Sequence, residues 1–254
     1  MRALSKYAVM PVITSSQNPT IKLVRSLADK KNRRELGLFA AVGQDMLDRA
    51  RAEGWEPETI VARHQTEAWG KAAILETTPQ IIATLSSQNN PPGILGVFRQ
   101  RWAKELAPKG VWLALEDMRD PGNLGSIIRT ADAVNAAGVI LVGDCCDPWG
   151  PDCVRATTGS IFGVPLLRMT KTQFAAAARE WPGDVVGTAM SASTDFRRPY
   201  AAPTLLVMGS ENNGLTPELS NACSVQVRIP MPGRTESLNV AAATALMLYE
   251  IVKP

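Results

Sequence analysis

From Val111 onward, short apolar runs alternate with segments of helical character, and this alternation limits the possible folds more than any other feature of the chain. Strands are expected at 111–115, 138–142, 164–167, 184–188, 204–208 and 225–229. Helices are expected at 123–136, 171–181 and 237–252, with short helical stretches near 151–158 and 216–221. Such strands are near-continuously apolar instead of alternating, so both faces are buried. Apolar strands interleaved with helices imply a parallel sheet covered on both sides.

Three of the strand-to-helix connections share a composition. Val111–Leu115 leads through Asp120-Pro121-Gly122-Asn123 into a helix that carries Arg129. Leu205–Met208 runs into Gly209-Ser210-Glu211 and Gly214, then Thr216-Pro217-Glu218, which reads as an N-cap with proline in the first turn. A strand ending at Ile229 meets Pro230, Met231, Pro232 and Gly233, then Ser237-Leu238-Asn239 at the head of an Ala-rich helix. Glycine lets backbone approach a ligand closely, and Ser, Asn or Asp can satisfy the unpaired N–H groups of a helix start. Each junction alone is a capped connection; three of one kind in one domain suggest one site.

The motifs Asn123-x-Gly125-x-x-x-Arg129, Gly209-Ser-Glu211-x-x-Gly214 and Ile229-Pro-Met-x-Gly233-x-x-x-Ser237-Leu-Asn239-Val resemble the three motifs of SpoU/TrmH-type RNA methyltransferases, of the SPOUT class. The resemblance implies an S-adenosylmethionine-dependent RNA ribose 2′-O-methyltransferase. It also implies a trefoil knot in the C-terminal α/β domain, a rare exception to the rule that chains do not thread loops, and a homodimer. Cofactor-binding positions carried over by the motifs are Gly209, Ile229, Met231 and Leu238, with Thr188 as a further candidate at the end of an earlier strand. Catalytic positions are Arg129, Asn123, Glu211, Ser237 and Asn239. Arg129 offers forked, permanently protonated donors suited to a phosphate. Asn123 could position Arg129 or the ribose, or cap a helix. Glu211 could orient substrate, or be an exposed loop carboxylate. Ser237 and Asn239 could hold the cofactor's methionine end and bond to Glu211 or Asn123, or cap their helix. Arg119 and Arg155 are secondary candidates for phosphate contact.

The N-terminal part differs in charge. Residues 1–110 hold 16 Lys and Arg against 10 Asp and Glu, whereas 111–254 hold 11 against 14. A basic front suggests a polyanionic partner, the alternative being a solvated helix face. A helix is expected over Pro19–Ala28 and strands at 38–42, 60–62 and 94–98. A helix is read at 45–53, while 81–85 fits helix or strand. The stretches Ser15–Lys22, Lys31–Phe39 and Pro92–Leu95 resemble the small ribosomal-protein-like α/β substrate-binding domain that many members carry. Val42-Gly43 stands where relatives usually have Glu-Gly. RNA contacts are expected from Lys30, Lys31, Arg33 and Arg34. The expected organisation is a substrate-binding domain at 1–103, a linker at 104–110 and a methyltransferase domain at 111–254. Ribosomal RNA is favoured because this layout resembles members acting there; transfer RNA stays open.

Other classes fit less well. With one histidine, His64, and four cysteines lacking C-x-x-C spacing, neither a metal site nor Cys-His chemistry is expected. No apolar run approaches the ~20 residues of a membrane span, and no signal peptide stands out, so a cytoplasmic protein with reduced thiols is expected. No G-x-G-x-x-G follows a strand, which speaks against a dinucleotide oxidoreductase. A non-catalytic RNA-binding or ribosome assembly factor keeping the same fold, and a base-methylating SPOUT enzyme, remain the rivals.

Overall fold

Asn18 opens the first helix by accepting hydrogen bonds from the backbone N–H of Thr20 and Ile21, and Pro19 presets its first turn. The computed structural model describes residues 12–64, 66–86, 92–210 and 213–253. Helix α1 (Pro19–Ser26) buries Ile21 and Val24 and stops earlier than its apolar spacing suggests. It stops because Asp29 caps a second helix, α2 (Lys30–Leu36), through the N–H groups of Lys31 and Asn32. Gly37, at φ 65°, ends α2 in the left-handed region that glycine tolerates. Strand β1 (Leu38–Val42), α3 (Gln44–Ala52), β2 (Thr59–Ala62), β3 (Ala73–Glu76), α4 (Pro79–Ser86) and β4 (Ile94–Arg99) follow. The ambiguous 81–85 stretch is thus helical, and β3 has no counterpart among the strands expected from the sequence. These four strands form one sheet in the order β1-β4-β2-β3.

The second sheet begins with β5 (Val111–Glu116), α5 (Pro121–Ala133) and β6 (Gly138–Val142). After a short helix, α6 (Pro151–Thr157), and a 3-10 turn at Ser160–Phe162, the chain continues through β7 (Leu166–Met169), α7 (Lys171–Arg179) and β8 (Val185–Thr188). It ends with β9 (Thr194–Asp195), β10 (Thr204–Met208), α8 (Pro217–Ser220), β11 (Val225–Arg228) and α9 (Val240–Val252). The order is β7-β6-β5-β10-β8-β11-β9, and every neighbouring pair is parallel. Strands β5, β6 and β10 are buried along almost their whole length, as the apolar runs require. The fold class read from the sequence, a parallel α/β domain with a small α/β companion, is the one found.

The chain divides into two compact units, and the division departs from the expected boundaries. One unit comprises residues 1–100 together with Trp149–Phe162; the other comprises 101–148 and 163–254. In the first unit Phe39 packs against Trp149 at 4.7 Å between ring centres, Phe98 against Phe162 at 5.0 Å, and Trp55 donates its indole N–H to the Phe162 carbonyl at 2.8 Å. The helical stretch near 151–158 therefore belongs to the core of the small unit. In the expected linker Ala107 O accepts the Trp112 Nε1–H, and just before it, at residues assigned to the first domain, Ala103 N–H donates to Leu166 O and Arg168 lies over the Trp102 ring, all within the second unit. Among the described residues, no helix is long and apolar enough to cross a membrane, and no group of three or more His, Cys, Asp or Glu could hold a metal.

Candidate active site

The three loops singled out in the sequence leave the carboxyl ends of neighbouring parallel strands. Leu115 on β5 pairs with Met208 on β10, Val207 with Gly187 on β8, and Thr188 with Val227 on β11. The loops after Glu116, Met208 and Arg228, and Thr188 between the latter two, thus emerge on one edge of the sheet. From β5 the chain runs outward to β6 and β7 on one side, and the later strands lie on the other. Such a switch in direction opens a crevice at the strand ends where α/β proteins bind ligands.

Helix α5 is capped by Asp120, whose carboxylate accepts the Asn123 backbone N–H at 2.6 Å. Asn123 is therefore not the cap, and its side chain is available for another partner. That partner is Asn239: Asn239 Nδ2 donates to Asn123 Oδ1 at 3.1 Å. Asn239 also caps α9, accepting the Ala241 N–H at 2.9 Å. The last helix starts at Val240, three residues later than the sequence suggested, so Ser237 lies in the preceding loop and not at the cap. Ser237 is exposed, and its carbonyl accepts the Thr235 hydroxyl. Arg129 sits about two turns into α5 and is exposed on it.

The middle loop folds back on itself. Ser210 and Gly214 exchange backbone hydrogen bonds at 3.1 and 3.0 Å. A Cβ on Gly209 would stand 2.1 Å from the Gly214 carbonyl carbon. Glycine is needed at 209 because the loop's own backbone returns at Gly214 and Leu215 and occupies the space. Glu211 lies outside the described residues. Ile229, Met231 and Leu238 are half-buried around the third loop, and Thr188 donates its hydroxyl to the Met208 sulfur at 3.6 Å. Half-buried apolar side chains beside glycine-bearing backbone at strand ends suit a partly apolar small ligand.

Sequence reasoning missed a charged network beneath these loops. Glu116, the last residue of β5, is 1% exposed. Its carboxylate accepts the Thr216 N–H at 2.8 Å and the Thr216 hydroxyl at 2.6 Å, and Lys171 Nζ lies 3.0 Å away. Lys171 also bonds Asp117 at 2.6 Å, and Asp117 accepts the Asp144 N–H. Burial works against the Asp117 charge, but Lys171, the Asp144 amide and nearby Arg119 outweigh it and hold the carboxyl below its usual range. The Asp117 and Glu116 carboxylates in turn hold the Lys171 ammonium above its ordinary value against burial. Thr216, expected as an N-cap, makes no capping bond; its hydroxyl is committed to Glu116. Arg119, a secondary phosphate candidate, is paired with Asp144 at 2.6 Å, and Arg155 with Asp152 at 2.7 Å.

In the small unit, one expected RNA contact is corrected. Arg33 is 5% exposed and donates through Nη1 to the carbonyls of Leu27 and Ala28, the residues that end the first helical segment. It is consumed by packing because the turn between α1 and α2 leaves carbonyls that need donors. Lys30, Lys31 and Arg34 are exposed on α2. Val42 pairs with Leu95 at the end of β1, and Gly43 follows at φ 112°, a conformation that accounts for the glycine of that pair but not for the missing carboxylate.

Comparison with known proteins places this geometry in context. The family model described as SpoU rRNA Methylase family matches residues 110–249, and the MRM3-like substrate binding domain matches residues 18–96. A 23S rRNA (uridine(2479)-2′-O)-methyltransferase of Streptomyces viridochromogenes is 30% identical over 94% of this chain and 91% of its own. An uncharacterized tRNA/rRNA methyltransferase of Synechocystis sp. is 31% identical over 94% of this chain and 92% of its own. The crystal structure of an AdoMet-bound rRNA methyltransferase from Sinorhizobium meliloti superposes with a TM-score of 0.88 at 39% identity, covering 94% of this chain and 96% of that one.

Proposed function

Since this chain belongs to the SpoU rRNA methylase family, we propose that it transfers the methyl group of S-adenosylmethionine to a ribose 2′-hydroxyl of ribosomal RNA. One observation carries the reading: the loop after β5 and the loop after β11, both bearing motif residues, are joined at the same sheet edge by the Asn239–Asn123 bond. Family and cofactor agree with the likeness to AdoMet-bound and rRNA-acting proteins.

S-adenosylmethionine, when bound, supplies a methyl group activated by its sulfonium. Gly209, Ile229, Met231 and Leu238, with Thr188, would hold it, chiefly through backbone and apolar contact. The remaining task is to aim and acidify a hydroxyl that is a very weak acid. Arg129 would grip the target nucleotide's phosphate and stabilise negative charge developing on the 2′-oxygen. A guanidinium stays protonated, so the hydroxyl proton leaves to phosphate or water. Asn123, fixed by Asn239, orients the ribose and the start of α5. Ser237 adds a polar group on the loop after β11. Lys30, Lys31 and Arg34 supply phosphate contacts in the substrate-binding unit, giving affinity and salt dependence.

We also infer a homodimer: α9 exposes Leu246 and Tyr249, 44% and 51% accessible, on an otherwise apolar helix. We carry the trefoil knot over from the family likeness, and the sheet order, with β10 between the earlier strands β5 and β8, is consistent with it. We further infer a cytoplasmic enzyme that works without a metal ion.

The test is methyl transfer from labelled S-adenosylmethionine to ribosomal and transfer RNA from a strain lacking this protein, followed by nucleoside mass spectrometry. A 2′-O-methylnucleoside in the ribosomal fraction is expected. Arg129→Ala should keep cofactor binding while turnover falls by about a hundredfold or more. A methylated base would make this a base-modifying relative, and cofactor binding without transfer to naked or ribosome-assembled RNA would make it an assembly factor.

A further inference from the structure

We propose that Glu116 is a positioning residue for methyl transfer, fixing the 209–214 loop through a two-point grip on Thr216. The proposal rests on the reading of that loop as part of the cofactor cleft. A carboxylate buried to 1% exposure is costly unless each oxygen is occupied. Here Oε2 takes the Thr216 N–H, while Oε1 takes the Thr216 hydroxyl and lies 3.0 Å from Lys171 Nζ. An apolar network of the same volume in place of this one would often be neutral for stability, whereas removing Glu116 alone would strand the Thr216 N–H and take from Lys171 one of its carboxylate partners. What an apolar network could not do is bond one residue through both backbone and side chain.

Two bonds to one residue fix its rotation as well as its distance. Thr216 is the second residue after Gly214, where the hairpin closed by the Ser210–Gly214 pair ends. The hairpin's other end, Gly209, is fixed by β10, which pairs with β5 through Met208 and Leu115, immediately before Glu116. The loop is therefore clamped at both ends to the terminus of β5. Lys171, shared with Asp117, aims the Glu116 carboxylate by occupying Oε1 from the α7 side. Glu116 itself sits below the loop and holds Thr216, at the loop's foot, in one rotation.

The experiment compares Glu116→Gln, Thr216→Val and Thr216→Ser with the unaltered protein. S-adenosylmethionine affinity is read by calorimetry, KM for cofactor and for RNA separately, and Tm by thermal unfolding. Losing one hydrogen bond to a charged group at a preorganised loop should weaken cofactor affinity about tenfold or more. Glu116→Gln and Thr216→Val should both show this, with KM for RNA unchanged, and Thr216→Ser should recover most of it. Thr216→Val keeps the backbone bond and so reads the grip even if Glu116→Gln fails to fold. Folded variants with unaltered cofactor affinity and KM would overturn the proposal. An unaltered protein that binds no S-adenosylmethionine would instead overturn the reading of the cleft.

Discussion

Asn239 Nδ2 donates to Asn123 Oδ1 at 3.1 Å, across 116 positions of sequence, and so joins the first turn of α5 to the cap of α9. The same Asn239 presents its oxygen to the Ala241 N–H. One side chain thereby serves helix initiation and loop registration together. Asn239→Ser keeps a capping oxygen but cannot reach Asn123. It should lower methyl transfer, with Tm falling by no more than a few degrees. A double-mutant cycle with Asn123→Ala should give a coupling of about 0.5–1.5 kcal/mol, measured by denaturant unfolding. Additive effects would mean the bond contributes nothing to stability.

Gly209→Ala tests whether the middle loop has any freedom. The added methyl would lie 2.1 Å from the Gly214 carbonyl carbon and 2.4 Å from its oxygen, both backbone atoms. The hairpin must open. A destabilisation of about 1–3 kcal/mol is expected from overpacking, together with a marked loss of S-adenosylmethionine binding in calorimetry. Cofactor affinity equal to that of the unaltered protein would show that the loop's closed form is not the binding form.

The basic helix α2 separates two arginines with different duties. Charge reversal at Lys30, Lys31 and Arg34 should weaken RNA binding at low salt and flatten its salt dependence, the slope falling by about 0.7–0.9 for each phosphate no longer neutralised. Tm should hardly move, since the Lys31–Glu35 pair is exposed and 3.9 Å apart. Arg33→Met should do the opposite. It strips two carbonyls of their donor and should cost about 1–3 kcal/mol of stability. Filter binding over a salt series and thermal unfolding distinguish the two.

Acid should loosen the network below the loops. The Asp117 carboxyl is depressed in the folded state, so its contribution is complete above the unfolded value of 3.8 and is lost as pH falls through the lower, folded value. Lys171 behaves in reverse: its ammonium is stabilised, and that contribution is present below 10.5 and lost as pH rises beyond it. Asp117→Asn should therefore lower stability at neutral pH and reduce the dependence of Tm on pH below 3.8, in scanning calorimetry. An unchanged acid profile would assign the acid sensitivity to other carboxylates.

The parallel sheet was legible because strand burial is a local, additive property. Val139–Val142 and Leu205–Met208 could hardly be anything else once their apolar runs and glycine-bearing ends were read together. The three loops were legible for the same reason. What stayed hidden depends on partners far along the chain. Glu116-Asp117 looks like a solvated strand end, and only the return of Thr216 and Lys171 makes it a buried network. Arg33 looks like its neighbours, and only the carbonyls that end α1 single it out. The assignment of Trp149–Phe162 to the small unit could not be read at all, since the rings of Phe39, Trp55 and Phe98 that receive it lie far earlier in the chain.

That last arrangement makes the small unit discontinuous, and it changes what cutting the chain would achieve. A fragment ending at Gln100 would carry all four strands of its sheet yet leave the Phe39 ring, wholly buried in the intact protein, without Trp149 and Phe162 to cover it. A protease that nicked residues 101–110 would release nothing, because the polypeptide also passes through the small unit at 149–162. The substrate-binding half is in this sense woven into the gene of the methyltransferase half, not appended to it. Exchanging it for that of a relative would require two splices, one near residue 100 and one replacing the stretch between β6 and β7.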